Sequence, residues 1–370
     1  MLKVRNIPFI DLSLKKGDLD RTISNISRLI KDKNFIGGDE VKKFEENFSK
    51  FNESKYCLGV ANGTDALEIA LESLDIPKNS EVIVPNFTFL SPAEAVVRGG
   101  YKLVLADINL NDFTISLESL KKLITKNTST LIVVHLFGNP CNMREIKKIT
   151  DKHGIKIIED CSQAHGAKFR GKIVGNFGDI GTFSFYPTKN LGAFGDSGAI
   201  VTNKKSIFEK AQKIANHGRV ATYDHLLAGR NSRLDAIQAS VLNLKIKNLK
   251  KCNELRIKQA SHLIDTIKSS NIETLKLSSD QFSVFHQFPI LFKKRKPLMA
   301  FLKKKGINCG IYYPKPLSKM KAFSNTVLTS KVHVKNSEIA CNQILSLPIG
   351  PHLNLKDTEY IANAIQSFPE

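Results

Sequence analysis

Between residues 55 and about 215 the hydrophobic pattern switches repeatedly between two periods. Short runs rich in β-branched residues ("KYCLGVANG", "EVIVP", "YKLVLADI", "TLIVVHLFG", "IKIIEDCSQAHGA") alternate with stretches of helical spacing ("TDALEIALESL", "SPAEAVVRGG", "SLESLKKLI", "NMREIKKITDKHG"). In the first of these helices Leu67, Ile69, Ala70, Leu71 and Leu74 carry the apolar positions. Strands alternating with helices predict an α/β fold with a mainly parallel sheet covered on both faces. "NSRLDAIQASVLNLKIKNLKKCNELRIKQASHL" then reads as one long helical connector from about residue 233. The remainder, with "FHQFPILFKK", "PLMAFLKKKGI" and "DTEYIANAIQSF", reads as a smaller α+β domain.

Open α/β sheets bind ligands beyond the carboxyl ends of their strands, and the unusual residues fall there. Asn62 to Asp65 follow a strand and open a helix, Asn86 to Phe89 follow "EVIVP", Asp160 ends "IKIIED", and Ser184 to Lys189 follow "DIGTFSF". The pattern brings four loops to one rim.

The chain of 370 residues exceeds the size at which a single core stops growing, so two domains are expected. Residues 1–245 form the large ligand-binding domain in this reading, with 1–20 as an N-terminal arm, and 246–370 the small one. Hydrophobic residues at 42% and charged residues at 24% are ordinary for a globular protein. "MLKVRNIPFIDLSLKKGDLD" has no apolar h-region before a cleavage site, and no window reaches the ~20 apolar residues of a membrane span; the expected location is cytoplasmic. The six cysteines are scattered without a C-x-x-C pair and are expected to be reduced thiols. A net charge of +20 suits nucleic acid, an acidic surface or an anionic substrate. The basic runs at residues 293–296 and 303–305 lack interleaved aromatics, and read as solvated faces rather than a nucleic-acid site.

"SFYPTKNLGAFGDSGA", residues 184 to 199, sets Lys189 among glycines and aromatics. Its "GDSG" resembles the nucleophile segment of trypsin-like proteases, but that fold is all-β, secreted and disulfide-rich. Gly192, Gly195 and Gly198 instead let the backbone turn closely past a ligand. "GNFGDIG" has the wrong spacing and place for a dinucleotide fingerprint, and "NGTD" lacks the Walker A pattern. Gly63-Thr64-Asp65 at a helix start can hold a phosphate through free N–H groups and the helix dipole; taken alone, Thr64 reads as an N-cap. His135, Asp160, Cys161 and His165 show no metal-ligand spacing, and no metal is expected. One cofactor joins the remaining loops: pyridoxal 5′-phosphate. Its ring nitrogen needs a carboxylate to stay protonated, which Asp160 supplies, and its aldehyde needs an amine, which Lys189 supplies. The 29 residues from Asp160 to Lys189 allow a returning strand pair.

With these residues the chain resembles the DegT/DnrJ/EryC1 family of sugar aminotransferases, pyridoxal-phosphate enzymes acting on nucleotide-linked keto-sugars. The likeness runs from "IPFIDL" through "ANGTDALEIAL", "EVIVPNFTF", "VHLFGNP", the segment 157–203 and "GRNSRLDAIQASVL" to "LSLPIGP". It implies an aspartate-aminotransferase-like fold (PLP fold type I), glutamate as amino donor, and a homodimer with active sites at its interface. Carried over by position, Lys189 would bind the cofactor aldehyde, Asp160 would pair with the ring nitrogen, Phe89 would stack on the ring, and Gln163 would hydrogen-bond its hydroxyl. Gly63, Thr64, the Asp65 backbone and Ser184 would hold the phosphate, with Asn231 reaching in from the partner subunit. From the residues alone Asn231 is equally a helix cap before "SRLD". His165 would line the same pocket. Ping-pong kinetics follow from such chemistry.

Some members of the wider family carry histidine in place of the lysine and dehydrate sugars; Lys189 argues against that branch. Members commonly read "HYP" where this chain has Tyr312-Tyr313-Pro314, which removes a group titrating near neutrality and makes Tyr312 and Tyr313 candidates for sugar contact. Arg219 is a candidate for the diphosphate and reads equally as a surface residue. The wording of residues 160–202 is similar to enzymes that aminate C3 of a 3-keto sugar, with 4-keto enzymes as the alternative. The resemblance points to amino sugars for surface polysaccharides such as lipopolysaccharide O-antigen. A DNA-binding regulator is the rival of another class, but no helix-turn-helix signal accompanies the basic runs.

Overall fold

Successive residues of a strand face opposite sides of its sheet, so a strand buried on both faces needs an unbroken apolar run. The computed structural model, which describes residues 5–14, 16–267, 271–326 and 334–369, uses the β-branched runs in that way. Its strands up to the middle of the chain are β1 (Tyr56–Val60), β2 (Glu81–Pro85), β3 (Lys102–Ala106), β4 (Thr128–Val134) and β5 (Lys156–Asp160). A small hairpin of β6 (Lys168–Phe169) and β7 (Lys172–Ile173) follows, then β8 (Ile180–Ser184) and β9 (Gly198–Thr202). Seven of these make one sheet in the order β1-β9-β8-β5-β4-β2-β3. β3, β2, β4, β5 and β8 pair in parallel. β9 is antiparallel to both β8 and β1, which makes the sheet mixed but mainly parallel.

Val82, Val84, Ile132, Ile158 and Ile180 pack on one face against the helices Gly63–Ser73, Ser91–Arg98 and Lys205–Ala215. Ile83, Leu131, Val133 and Ile157, one residue out of phase, pack on the other against Leu117–Leu123 and Met143–His153. The period-two exchange between faces is the reason the sheet is covered on both sides.

The long helix begins at Ala236 rather than near 233 and ends at Thr266. Residues before it are held extended, Asp235 having φ −71° and ψ 143°. Its first half places Ala239, Leu242 and Leu249 against Phe44 and Phe48 of the helix Gly38–Asn52. Its second half buries Ala260 and Leu263 with Phe288 and Ile344. Position 245 thus lies inside a helix that both halves of the chain pack upon. A hairpin of β10 (Arg219–Ala221) and β11 (Asp224–His225) precedes this helix. Beyond it, β12 (Glu273–Thr274), β14 (Phe288–Leu291) and β15 (Ile344–Leu347) form an antiparallel sheet, while β13 (Gln281–Phe282) joins β6. This is the α+β portion expected from the sequence. Among the described residues no helix is long and apolar enough to cross a membrane.

Phe48 is fully buried and meets Phe183 and Phe185 edge to face at 4.9 and 5.1 Å, tying a helix to the strand that leads to Lys189. Phe48→Ala should lower the unfolding free energy by about 3–5 kcal/mol, read by denaturant titration. A loss below ~1 kcal/mol would contradict this packing.

Candidate active site

Parallel strands end on one edge, and there Asp160 at the end of β5, Ser184 at the end of β8 and the turn after β1 meet. They open on a cavity of about 1710 Å³ lined by Asn62 to Asp65, Phe89, Asp160, Gln163, Ser184, Lys189, Tyr312 and Tyr313, among others. The hairpin β6–β7 and the strand β8 fill the sequence between Asp160 and Lys189.

Asp160 is buried and accepts the Ser162 N–H at 3.0 Å. Burial raises its carboxyl above the usual range, opposed by the Ser162 hydrogen bonds and by the fields of Lys189 and His135. Lys189 is half-buried at the tip of a loop closed by Lys189 N–H to Tyr186 C=O and Ala193 N–H to Phe185 C=O, each at 2.8 Å. A Cβ on Gly192 would come within 2.3 Å of the Pro187 carbonyl oxygen, so only glycine lets this loop close. Burial lowers the Lys189 ammonium to about 8, opposed by the charge of Asp160. Each group thus feels the charge of the other within one cavity.

At the other end the helix Gly63–Ser73 starts against Ser184: a Cβ on Gly63 would lie 2.7 Å from the Ser184 Cβ. Asn62, not Thr64, is the N-cap; its side chain accepts the Asp65 N–H at 2.8 Å. Thr64 sits inside the first turn, its hydroxyl 2.7 Å from that of Ser91, so the capping expectation is corrected. The first N–H groups of the helix, those of Gly63 and Thr64, have no intrahelical partner and lie at the positive end of its dipole.

Gln163 accepts the Phe137 N–H at 2.7 Å and donates to the Tyr313 hydroxyl at 3.2 Å. Phe89, 50% exposed, lies 6.0 Å from the Tyr313 ring. Burial pushes the Tyr313 phenol well above its ordinary range.

Two expected residues, His165 and Arg219, lie off the cavity wall, and Asn231, expected in the site of a partner subunit, lies outside the cavity of its own chain. His165 is fully buried behind the wall, beside Phe183 and Phe185 at 5.6 and 5.5 Å, and does not line the cavity. Burial first, then the charge of Lys189, lowers its imidazole to about 3, so it packs as a neutral ring. Arg219 is exposed on β10, its guanidinium turned to the Ala221 carbonyl at 3.2 Å and Thr222 at 3.4 Å. Its contacts are local to the hairpin, outside the cavity wall. Asn231 is exposed and bridges to Asn216. It is no helix cap, since the helix starts five residues later; it lines a shallow depression with Asp65, Glu68, Arg98 and Arg230. Arg230 is ion-paired to Glu68 and Glu72, which pins this segment to the helix Gly63–Ser73.

Sequence reasoning missed Phe9 to Leu14 of the N-terminal segment and Tyr186, all on the cavity wall. No local signal marks them, because distant packing brings them there. It also missed the partner of His135. His135, Glu159 and Cys161 place potential ligand atoms within 4.8 Å of one another, yet the donors are spent. Glu159 accepts from Gly175, Phe177 and Gly178 N–H groups at 2.8, 2.6 and 2.7 Å and from His135 Nε2 at 3.1 Å. His135 Nδ1 accepts the Cys141 N–H at 3.0 Å, and burial pushes the Cys161 thiol well up. The cluster is a hydrogen-bonded strut behind Asp160.

The chain belongs to the DegT/DnrJ/EryC1/StrS aminotransferase family, whose family model matches residues 18–366. It is 37% identical, over 98% of this chain and 99% of the relative, to the dTDP-3-amino-3,6-dideoxy-alpha-D-galactopyranose transaminase of Aneurinibacillus thermoaerophilus. It is 36% identical, over 97% of each, to the UDP-N-acetyl-3-dehydro-alpha-D-glucosamine 3-aminotransferase of Acidithiobacillus ferrooxidans. A pleiotropic regulatory protein of Geobacillus stearothermophilus is 37% identical over 98% of each. The structure superposes on S. venezuelae DesV with a TM-score of 0.93 at 34% identity, covering 98% of each chain. It superposes on NtdA of Bacillus subtilis, solved with the bound cofactor PMP, with a TM-score of 0.90 at 26% identity, covering 98% of this chain and 85% of that one. The chain is accordingly a pyridoxal-phosphate-dependent sugar transaminase with the fold of that family.

The residues present fit that cofactor. Gly63 gives the cradle at the helix start that a Cβ would fill, Asp160 is a buried carboxylate that gains from a cationic partner, and Lys189 is a partly deprotonated amine on the same cavity. In cofactor-stripped protein the rate at which Lys189 captures added pyridoxal phosphate should rise with pH around a midpoint near 8. Asp160→Asn, which removes the opposing charge, should move that midpoint lower. A midpoint at the ordinary lysine value of about 10.4, or an upward shift in the variant, would contradict the coupling.

Proposed function

We propose that the enzyme transfers an amino group from glutamate to a nucleoside-diphosphate-linked 3-keto sugar and works as a homodimer. The observation that carries the sugar assignment is the pair of catalytic relatives above, both named for an amino or keto group at C3 and both matching nearly the whole chain. The cavity supports it: about 1710 Å³ exceeds the ~300–1,000 Å³ of ordinary ligand sites, leaving room for a large second substrate beside the cofactor.

In this reading Gly63, Thr64, the Asp65 backbone and Ser184 hold the phosphate, Phe89 packs on the ring, Gln163 borders its hydroxyl edge, and Asp160 keeps the ring-nitrogen proton in place. Pyridoxal phosphate, when bound, supplies an aldehyde that captures amines and a ring that accepts negative charge. Lys189 carries it at rest. With the donor bound, Lys189 would be the general base that takes the proton from the donor's α-carbon. The same lysine delivers a proton to the sugar carbon in the second half of the cycle. Asn231, turned away from its own cavity, is assigned to the phosphate of a second copy.

Lys189→Ala should lower transamination by about 10²- to 10⁴-fold. A panel of dTDP- and UDP-linked 3-keto and 4-keto sugars, with glutamate and mass-spectrometric detection, should give amination of 3-keto members. Amination of 4-keto members alone overturns the C3 assignment, and amination of none overturns the substrate class. Co-refolding Lys189→Ala with Asn231→Ala chains should restore activity that neither parent has, because the hybrid holds one intact shared site. No recovery overturns the assignment of Asn231 to the second copy.

A further inference from the structure

We propose that Phe9 and Tyr312 form one aromatic wall that grips the sugar ring of the second substrate, with Phe9 as the positioning residue that holds Tyr312 in place. The inference rests on the nucleotide-sugar reading above. The two rings come from segments some three hundred residues apart and lie stacked, centroids 5.8 Å apart at 18°, and both line the cavity that holds Lys189.

Two backbone connections hold the pair. Ile7 N–H donates to the Gly306 carbonyl at 2.8 Å and the Asn308 N–H donates to the Ile7 carbonyl at 3.1 Å, which bolts the N-terminal segment to the loop leading to Tyr312. Gly310 and Ser346 exchange N–H···O=C bonds at 3.0 and 2.8 Å, fixing the floor beneath the rings. A Cβ on Gly310 would come within 2.6 Å of Tyr312 and 3.0 Å of Phe9, so both rings rest directly on this backbone.

The wall lies away from the cofactor end. Tyr313, perpendicular to Tyr312 at 5.8 Å, faces inward to Gln163 and Phe89. Tyr312 is the next ring outward, in a cavity that Tyr186 also lines; burial first, then the neighbouring Tyr186, raises the Tyr312 phenol above the ordinary range. It therefore presents an uncharged phenol, both donor and acceptor, on a flat apolar face. A pyranose ring has that complement of apolar C–H face and neutral hydroxyls. Glutamate, a small dicarboxylate, does not.

The two half-reactions separate the roles. Phe9→Ala should weaken binding of the best amino-sugar nucleotide from the panel's products about three- to tenfold by calorimetry, with Phe9→Leu intermediate and Phe9→Tyr near wild type. The glutamate half-reaction, followed by cofactor absorbance without any sugar, should keep its rate. Unchanged sugar affinity in Phe9→Ala and Phe9→Leu overturns the proposal, as does an equal fall in both half-reactions, which marks a merely structural contact. Wild-type protein that runs the glutamate half-reaction but binds no sugar nucleotide overturns the substrate reading on which the proposal stands.

Discussion

The mutual field of Asp160 and Lys189 is the interaction on which the site depends. Both lie where burial disfavours charge, and each resists the shift imposed on the other. An amine near neutrality within reach of a carboxylate would gain little in water, where the Coulomb energy of such a pair is ~1 kcal/mol. The strand ends exclude enough water for each charge to be felt by the other. Their separation along the chain is bridged by β8, so the register of that strand against β5 sets the geometry of the pair.

Much of the surrounding structure serves that register. Glu159 faces away from Asp160 along the same strand and takes four hydrogen bonds, three from the loop at residues 175–178 that leads into β8. Burial alone would raise its carboxyl, yet the hydrogen bond and charge of His135 and the Gly178 and Gly175 N–H groups hold it below the ordinary range. Its donors come from β4's end and from β8's approach, so one side chain braces both neighbours of the strand that carries Asp160. The phosphate end is set by contact instead: Gly63 against Ser184 leaves no room for any side chain.

The opening of the cavity has a different origin. Its outer wall brings together Phe9 of the N-terminal segment and Tyr312 of the C-terminal portion, which share the backbone floor at Gly310. The rim that carries Asp160 and Lys189 and the outer wall of the cavity are therefore built from separate parts of the sequence. A substitution at Tyr312 alters this outer wall without touching the strand ends.

The sequence by itself determined the alternation of strands and helices, the mainly parallel sheet, and the two reactive groups. Those follow from local periodicity and from chemistry that needs particular residue types at strand ends. Tertiary structure decided which way neighbouring polar side chains turn. Asn62 rather than Thr64 caps the helix because the extended backbone at residue 62 brings its amide to the Asp65 N–H. His165, close in sequence to Asp160, is turned into the phenylalanine core, and Arg219 and Asn231 fall outside the cavity of their own chain. Phe9 reaches Tyr312 only through a backbone pairing across some three hundred residues. Periodicity is a property of a few adjacent residues, whereas the direction a side chain faces at a rim is set by partners that only the folded chain brings within reach.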